Sequence, residues 1–211
     1  MQLILLSTIF TTLLLTANIT AVKIIAVGSD GIDAGILAYP FTFLISDVVS
    51  EVYGKRTTTK IIWLGFLANI IMITIIFLAG NLPAAVFWHD QEAYDQILGS
   101  VPRIVIASML AYIISQNHDV LAFAMWRNFT NGKFLWLRNN ASTIVSQGID
   151  TIIFVVVAFG GVYSTDEIWN MIWITYLFKI SIAIADTPLV YLIVYLTKKN
   201  YPLKTQNDDH T

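Results

Sequence analysis

The chain has 211 residues, 56% of them hydrophobic and 12% charged, with a mean hydropathy of +0.70. A soluble domain carries roughly a quarter of its residues as charges, so half that share excludes an ordinary cytosolic fold and points to lipid as the solvent. The absence of cysteine excludes disulfides, thiolate metal sites and cysteine nucleophiles, and a net charge of −2 without a basic stripe argues against a nucleic-acid partner.

Apolar stretches long enough to cross a bilayer occupy 3–27, 34–53, 61–80, 104–126, 142–163 and 168–196. They predict an all-α integral membrane protein, a bundle of six transmembrane helices forming a single domain over 1–204. A polar tail at 205–211 is expected to be disordered. Runs such as 70–78 are apolar on every side and lack the alternation of a β-barrel strand. The first stretch is read as a span and not as a cleaved signal peptide, because no lysine or arginine precedes it and no small-x-small cleavage site follows.

Nine of the twelve basic residues fall on one set of connections: Lys55, Arg56 and Lys60; Arg127, Lys133 and Arg138; Lys198, Lys199 and Lys204. The opposite connections carry Asp30, Asp33, Asp90, Glu92, Asp95, Asp166 and Glu167. The positive-inside rule therefore puts both termini in the cytoplasm, in agreement with an even number of crossings. The six tryptophans are expected to anchor the interfaces, and Arg103 to snorkel to one of them.

An ionisable residue at the bilayer centre costs about 2.5–3.5 kcal/mol on the insertion scale, which makes each one a candidate for function. The second span carries Thr42, Ser46, Asp47, Ser50 and Glu51 on half of its circumference, and Pro40 before them points to a kink or break. Glu51 has an equally good reading as a side chain reaching the cytoplasmic interface. The fourth span presents Ser108, Tyr112, Ser115, Gln116 and Asp119 as one stripe, with a lone His118 that makes a poor metal site. In the fifth, Thr143, Ser146, Gln147 and Asp150 share a face behind Asn139 and Asn140, residues suited to capping a helix start. In the sixth, Lys179 and Asp186 lie two turns apart, too far for a direct bond. Each charge then needs another partner: either a structural network such as Lys179 with Asp150 or Asp119, or a ligand between the charges. Polar faces on these four spans cannot face lipid, so they predict a polar central cavity suited to a donor-rich ligand.

The residues Pro40-Phe41-Thr42-Phe43-Leu44, Asp47 and Glu51-Val52-Tyr53-Gly54 resemble the second-helix signature of the queuosine precursor transporter family, also called the vitamin uptake transporters. The run Leu135-Trp136-Leu137-Arg138-Asn139-Asn140-Ala141-Ser142-Thr143 with Ser146-Gln147 and Asp150 is similar to the family's fifth-helix motif. Ser115-Gln116 with Asp119, and Lys179 with Thr187-Pro188, extend the likeness over nearly the whole chain. The resemblance implies a bacterial inner-membrane importer of 7-deazaguanine bases such as preQ0, preQ1 or queuine for tRNA modification, working without a cofactor. A guanine-like edge offers adjacent N–H donors that a carboxylate accepts in bidentate fashion, and an amide serves its carbonyl. Asp47, Glu51, Gln147 and Asp150 are the expected ligand contacts, followed by Asn140, Asp119 and Lys179.

Two other readings compete. A substrate-binding membrane subunit driven by a separate ATPase fits the size, and no phosphate-binding Gly-x-x-x-x-Gly-Lys loop exists in the chain. An intramembrane aspartyl protease using Asp119 and Asp150 is the weakest, since every other catalytic signature is missing. Six helices are few for a two-repeat transporter, which leaves room for a homo-oligomer.

Overall fold

The computed structural model describes residues 2–129 and 135–200, with side chains for 2–118 and 144–182. In chain order these residues form α1 (Gln2–Thr20), β1 (Ile24–Val27), β2 (Asp30–Asp33) and a 3₁₀ helix (Ala34–Ala38). There follow α2 (Tyr39–Tyr53), α3 (Lys55–Gly80), α4 (Gln91–Leu98), α5 (Val101–Phe129), α6 (Leu135–Phe159) and α7 (Thr165–Asn200). Among the described residues four helical segments, 2–20, 34–53, 55–80 and 91–118, are long and apolar enough to cross a membrane. The outward faces agree: α3 exposes Leu64, Leu67, Ile70, Ile71, Ile75, Phe77 and Leu78, a surface that water would not tolerate and lipid favours.

The first expected span ends early. α1 stops at Thr20, and the apolar residues Ile24–Val27 pair as an antiparallel strand with Asp30–Asp33, in the register Ile24 to Asp33 and Val27 to Asp30. Gly28, at a φ of +65°, supplies the left-handed residue that a two-residue hairpin turn requires. β-branched Ile24, Ile25 and Val27 suit a strand as well as an apolar helix, so hydropathy alone ran through the corner.

The second span keeps its expected bounds, Ala34–Tyr53, and is built in two parts. A 3₁₀ helix occupies Ala34–Ala38, and Pro40 falls in the first turn of α2, where its missing N–H costs no helical bond. The expected kink or break at Pro40 thus takes the form of a break, the 3₁₀ helix giving way to α2 at Tyr39. Gly54 alone separates α2 from α3, and its φ of +85° makes the corner. Lys55, Arg56 and Lys60 thus sit on the first turns of α3 and not in a loop.

Further findings concern helix ends. The α6 helix begins at Leu135, so Asn139 and Asn140 lie within it and not at its cap. Arg103, exposed, donates to the carbonyl oxygens of Val157 and Gly160 at 2.7 and 2.5 Å, satisfying carbonyls at the C-terminal end of α6. The short α4, amphipathic and exposed, was not foreseen. α7 opens with a capping box in which the Ser164 hydroxyl and backbone N–H both donate to the Glu167 carboxylate, at 2.7 and 2.8 Å.

Two larger cores, with a small one of Val48 and Val52 beside them, hold the described helices. Ile104 and Ala107 of α5 pack with Val155, Ala158 and Phe159 of α6 and with Met171 and Ile172 of α7. Phe10 of α1 meets Val49 of α2 and Ile61 of α3. Between these two cores the helices do not close.

Candidate functional site

A cavity of about 470 Å³ lies between α1, the 3₁₀ helix, α2, the start of α3, and α5, α6 and α7. Along α2 its wall runs from Tyr39 through Thr42, Ser46 and Asp47 to Ser50, a stripe about 17 Å long at 1.5 Å per residue. Opposite stand Ser108, Tyr112, Ser115 and Gln116 of α5, then Ser146, Gln147 and Asp150 of α6, then Thr175 and Lys179 of α7. The i, i+3, i+4 spacing within each group is what puts each stripe on one face.

Burial divides the cavity. Asp33, Thr175 and Lys179 are 4%, 1% and 5% exposed, and Ser115 and Ser146 are buried with them. Asp47, Lys55, Thr59 and Gln116 are exposed. The site is therefore closed where the hairpin and 3₁₀ helix meet α7, and open toward the α2–α3 corner.

The closed end is a connected network. Lys179 Nζ lies 2.6 Å from Asp150 Oδ2 and 4.7 Å from the centre of the Tyr39 ring, pairing the ammonium with a carboxylate and an aromatic face at once. Ser115 Oγ donates to Asp150 Oδ1 at 3.3 Å, and Tyr39 Oη donates to Gln147 Oε1 at 2.8 Å. A tyrosine donating to the amide oxygen leaves the amide N–H groups of Gln147 for another acceptor. Asn18 of α1 donates to Asn69 of α3 at 2.7 Å, and Asn69 donates on to the Gly65 carbonyl at 2.9 Å, so the buried amides of that wall are joined.

Burial pushes the Asp33 carboxyl up to about 6, against the pull of the nearby Lys179 ammonium and of adjacent backbone N–H groups. Asp33 is therefore largely ionised at pH 7 and titrates just below it.

Of the residues expected from sequence, Asp47, Gln147, Asp150 and Lys179 line this one cavity. Glu51 is exposed and stands outside the lining. Asp119 and Asn140 lie outside the residues whose side chains are described. Among the lining residues that escaped sequence reading are Asp33, Tyr39 and Thr175. Asp33 looked like one of several acids of an outer loop. Tyr39 gave no signal beyond preceding a proline, while Thr175 stands one turn before Lys179 on the same helix face.

Residues 33–193 match the family described as "Putative vitamin uptake transporter". The chain is 37% identical over 179 residues to a protein of Bacillus subtilis (strain 168) named "Probable queuosine precursor transporter", covering 83% of this chain and 77% of that one. A protein of the same name from Haemophilus influenzae is 29% identical over 155 residues, covering 71% of this chain and 63% of its own length. The "Queuosine precursor transporter" of Escherichia coli (strain K12) is 27% identical over 177 residues, 82% of this chain and 76% of that one. No solved structure matches.

Proposed function

The chain belongs to the vitamin uptake transporter family, a multi-pass membrane transporter and not an enzyme, and we propose that it imports queuosine precursors, 7-deazaguanine bases, across a bacterial inner membrane. The relatives named for that substrate support the class of ligand. The observation that carries the reading is the cavity: about 470 Å³, within the range of small-molecule sites, with an ion pair and an amide–tyrosine bond in its wall. Intramembrane charge of this kind marks a ligand path.

In the proposed arrangement six helices cross the membrane with both termini in the cytoplasm. The exposed end of the cavity, at the α2–α3 corner with Lys55, Arg56 and Lys60, then faces the cytoplasm, and the hairpin closes the outer side. The bicyclic base lies between the Asp47 stripe of α2 and the Gln147–Asp150 face of α6. A carboxylate accepts the paired N–H donors of its guanine edge, and Gln147 serves its carbonyl. Glu51, Asp119, Asn140 and Lys179 complete the proposed contacts. Pairs of chains in the membrane are compatible with this arrangement.

The test is uptake of radiolabelled aminomethyl and nitrile 7-deazaguanines by the purified chain in liposomes, with and without an imposed proton gradient. Accumulation by the chain alone is expected. Tight binding without uptake would transfer the energy source to a separate ATPase complex, and neither binding nor uptake would overturn the substrate.

A further inference from the structure

Many of the described helix hydroxyls bond back to a carbonyl of the preceding turn. Those of Thr74, Thr151 and Ser181 donate to the carbonyl four residues back, at 2.7, 2.8 and 2.8 Å, the usual satisfaction of a hydroxyl where water is absent. Thr175 departs from this pattern. Its side chain is buried in the wall of the cavity, and its Oγ1 has no hydrogen-bond partner among the described residues. A buried hydroxyl left unpaired carries its full desolvation penalty, so it is expected to have a partner in some working state of the molecule.

The charges beside it do not cancel. Of the residues lining that end, Asp33 and Asp150 share a single ammonium, Lys179, which bonds Asp150 and acts on Asp33 only through its field. Lys55, the other cation in the lining, is exposed beyond the far end of α2 and screened by solvent. The closed end therefore holds one carboxylate in excess, next to a hydroxyl without a partner, in a space that a ligand can enter.

We propose that this closed end, Asp33 and Thr175 beside the Asp150–Lys179 pair, is a subsite for a primary ammonium group carried by the transported molecule. A protonated amine brings three N–H donors and one positive charge. The Asp33 carboxylate and Thr175 Oγ1 accept from it, and its charge removes the excess. Lys179 opposes it only in part, because that ammonium is already paired with Asp150 at 2.6 Å. A nitrile in the same place has no N–H to give and no charge to set against Asp33. The inference rests on the import reading above and sharpens it: among 7-deazaguanines, the aminomethyl base is preferred to the nitrile.

The experiment is calorimetric titration of the purified full chain in detergent with each of the two bases, for the wild type, Asp33→Asn, Thr175→Val and Thr175→Ser. Asp33→Asn is expected to weaken the aminomethyl base by roughly 10–100-fold, the scale of a hydrogen bond to a charged group, and the nitrile by less than about threefold. Thr175→Val should weaken the aminomethyl base by about tenfold, and Thr175→Ser should restore it. If Asp33→Asn does not fold, the Thr175 pair carries the same contrast. Equal losses for the two bases, or no loss, would overturn the ammonium subsite while leaving import standing. A wild type that binds neither base would overturn the substrate, and benzylammonium then decides the subsite. Thermal stabilisation by benzylammonium over benzyl alcohol, lost in Asp33→Asn, supports it; no difference overturns it.

Discussion

The two ends of the cavity are built from the same kinds of residue and differ in solvent. At the open end Asp47 and Lys55 are exposed, so their charges are hydrated and their mutual geometry matters little to folding. At the closed end Lys179 and Asp150 are 5% and 18% exposed, and their pairing is the condition for burying either one. Similar chemistry is thus tied to stability as well as to ligand at the closed end, and at the open end is available to ligand with little bearing on stability. Substitutions that exchange the two roles test this division.

The largest effect is expected from Lys179→Met. Removing the ammonium leaves Asp150 buried without its partner, a loss of about 3–5 kcal/mol for a broken buried pair. Unfolding of the variant in detergent should show it. Adding Asp150→Leu removes the orphaned charge, and the double variant should regain most of that stability while remaining inactive in uptake. A single variant as stable as the wild type would mean that the closed end is hydrated and that the two ends do not differ.

Asp33→Asn acts in the opposite direction. Its carboxyl titrates near 6 in the fold against 3.8 when unfolded, so the folded state holds the proton more tightly. The stability from that proton is complete below about pH 4 and is lost as pH rises through 6. At pH 7.5 the ionised form costs up to about 3 kcal/mol, two units at 1.36 kcal/mol each. Asparagine removes this penalty, so the variant should melt above the wild type at pH 7.5, with the gap closing toward pH 4. Gly35→Ala breaks the same end by shape. Its new Cβ would lie 2.6 Å from the Ala17 carbonyl oxygen and 3.1 Å from the Ala21 Cβ, prising the 3₁₀ helix off α1. A loss of about 1–3 kcal/mol is expected from such overpacking, measured as a lowered melting temperature.

How much of this was legible in the sequence follows the same division. Long apolar runs set the helices, because hydropathy is what a bilayer selects. Gln147, Asp150 and Lys179 stood out because an ionisable or amide side chain inside such a run is expensive. Asp33 did not, since a carboxylate beside Gly31 and Ile32 reads as a loop acid. Only the fold-back of Ile24–Val27 on Asp30–Asp33 carries it into the bundle, and an apolar β-branched run gives no sign that it turns a corner. The turn was written in Gly28-Ser29-Asp30-Gly31, a punctuation the apolar count overrode. Thr175 was invisible for another reason. A helical threonine is ordinary, and only the direction of its hydroxyl distinguishes it from Thr151.

The smallest effect on stability should come from Asp47→Asn. The side chain is exposed, so whatever partners it has are screened, and the change in unfolding free energy should stay within about 0.5 kcal/mol. Its proposed part in binding is a different matter. Asparagine replaces one acceptor oxygen with a donor, so a bidentate contact to two adjacent N–H groups becomes one bond and one repulsion. Uptake of the 7-deazaguanine base should fall by tenfold or more, the scale of about 1.5–3 kcal/mol for a hydrogen bond to a charged group, while melting is unchanged. Loss of stability together with uptake would place Asp47 with Lys179 as a structural charge and erase the distinction between the two ends. Unchanged uptake would move the guanine edge away from α2, leaving the Gln147–Asp150 face to hold it.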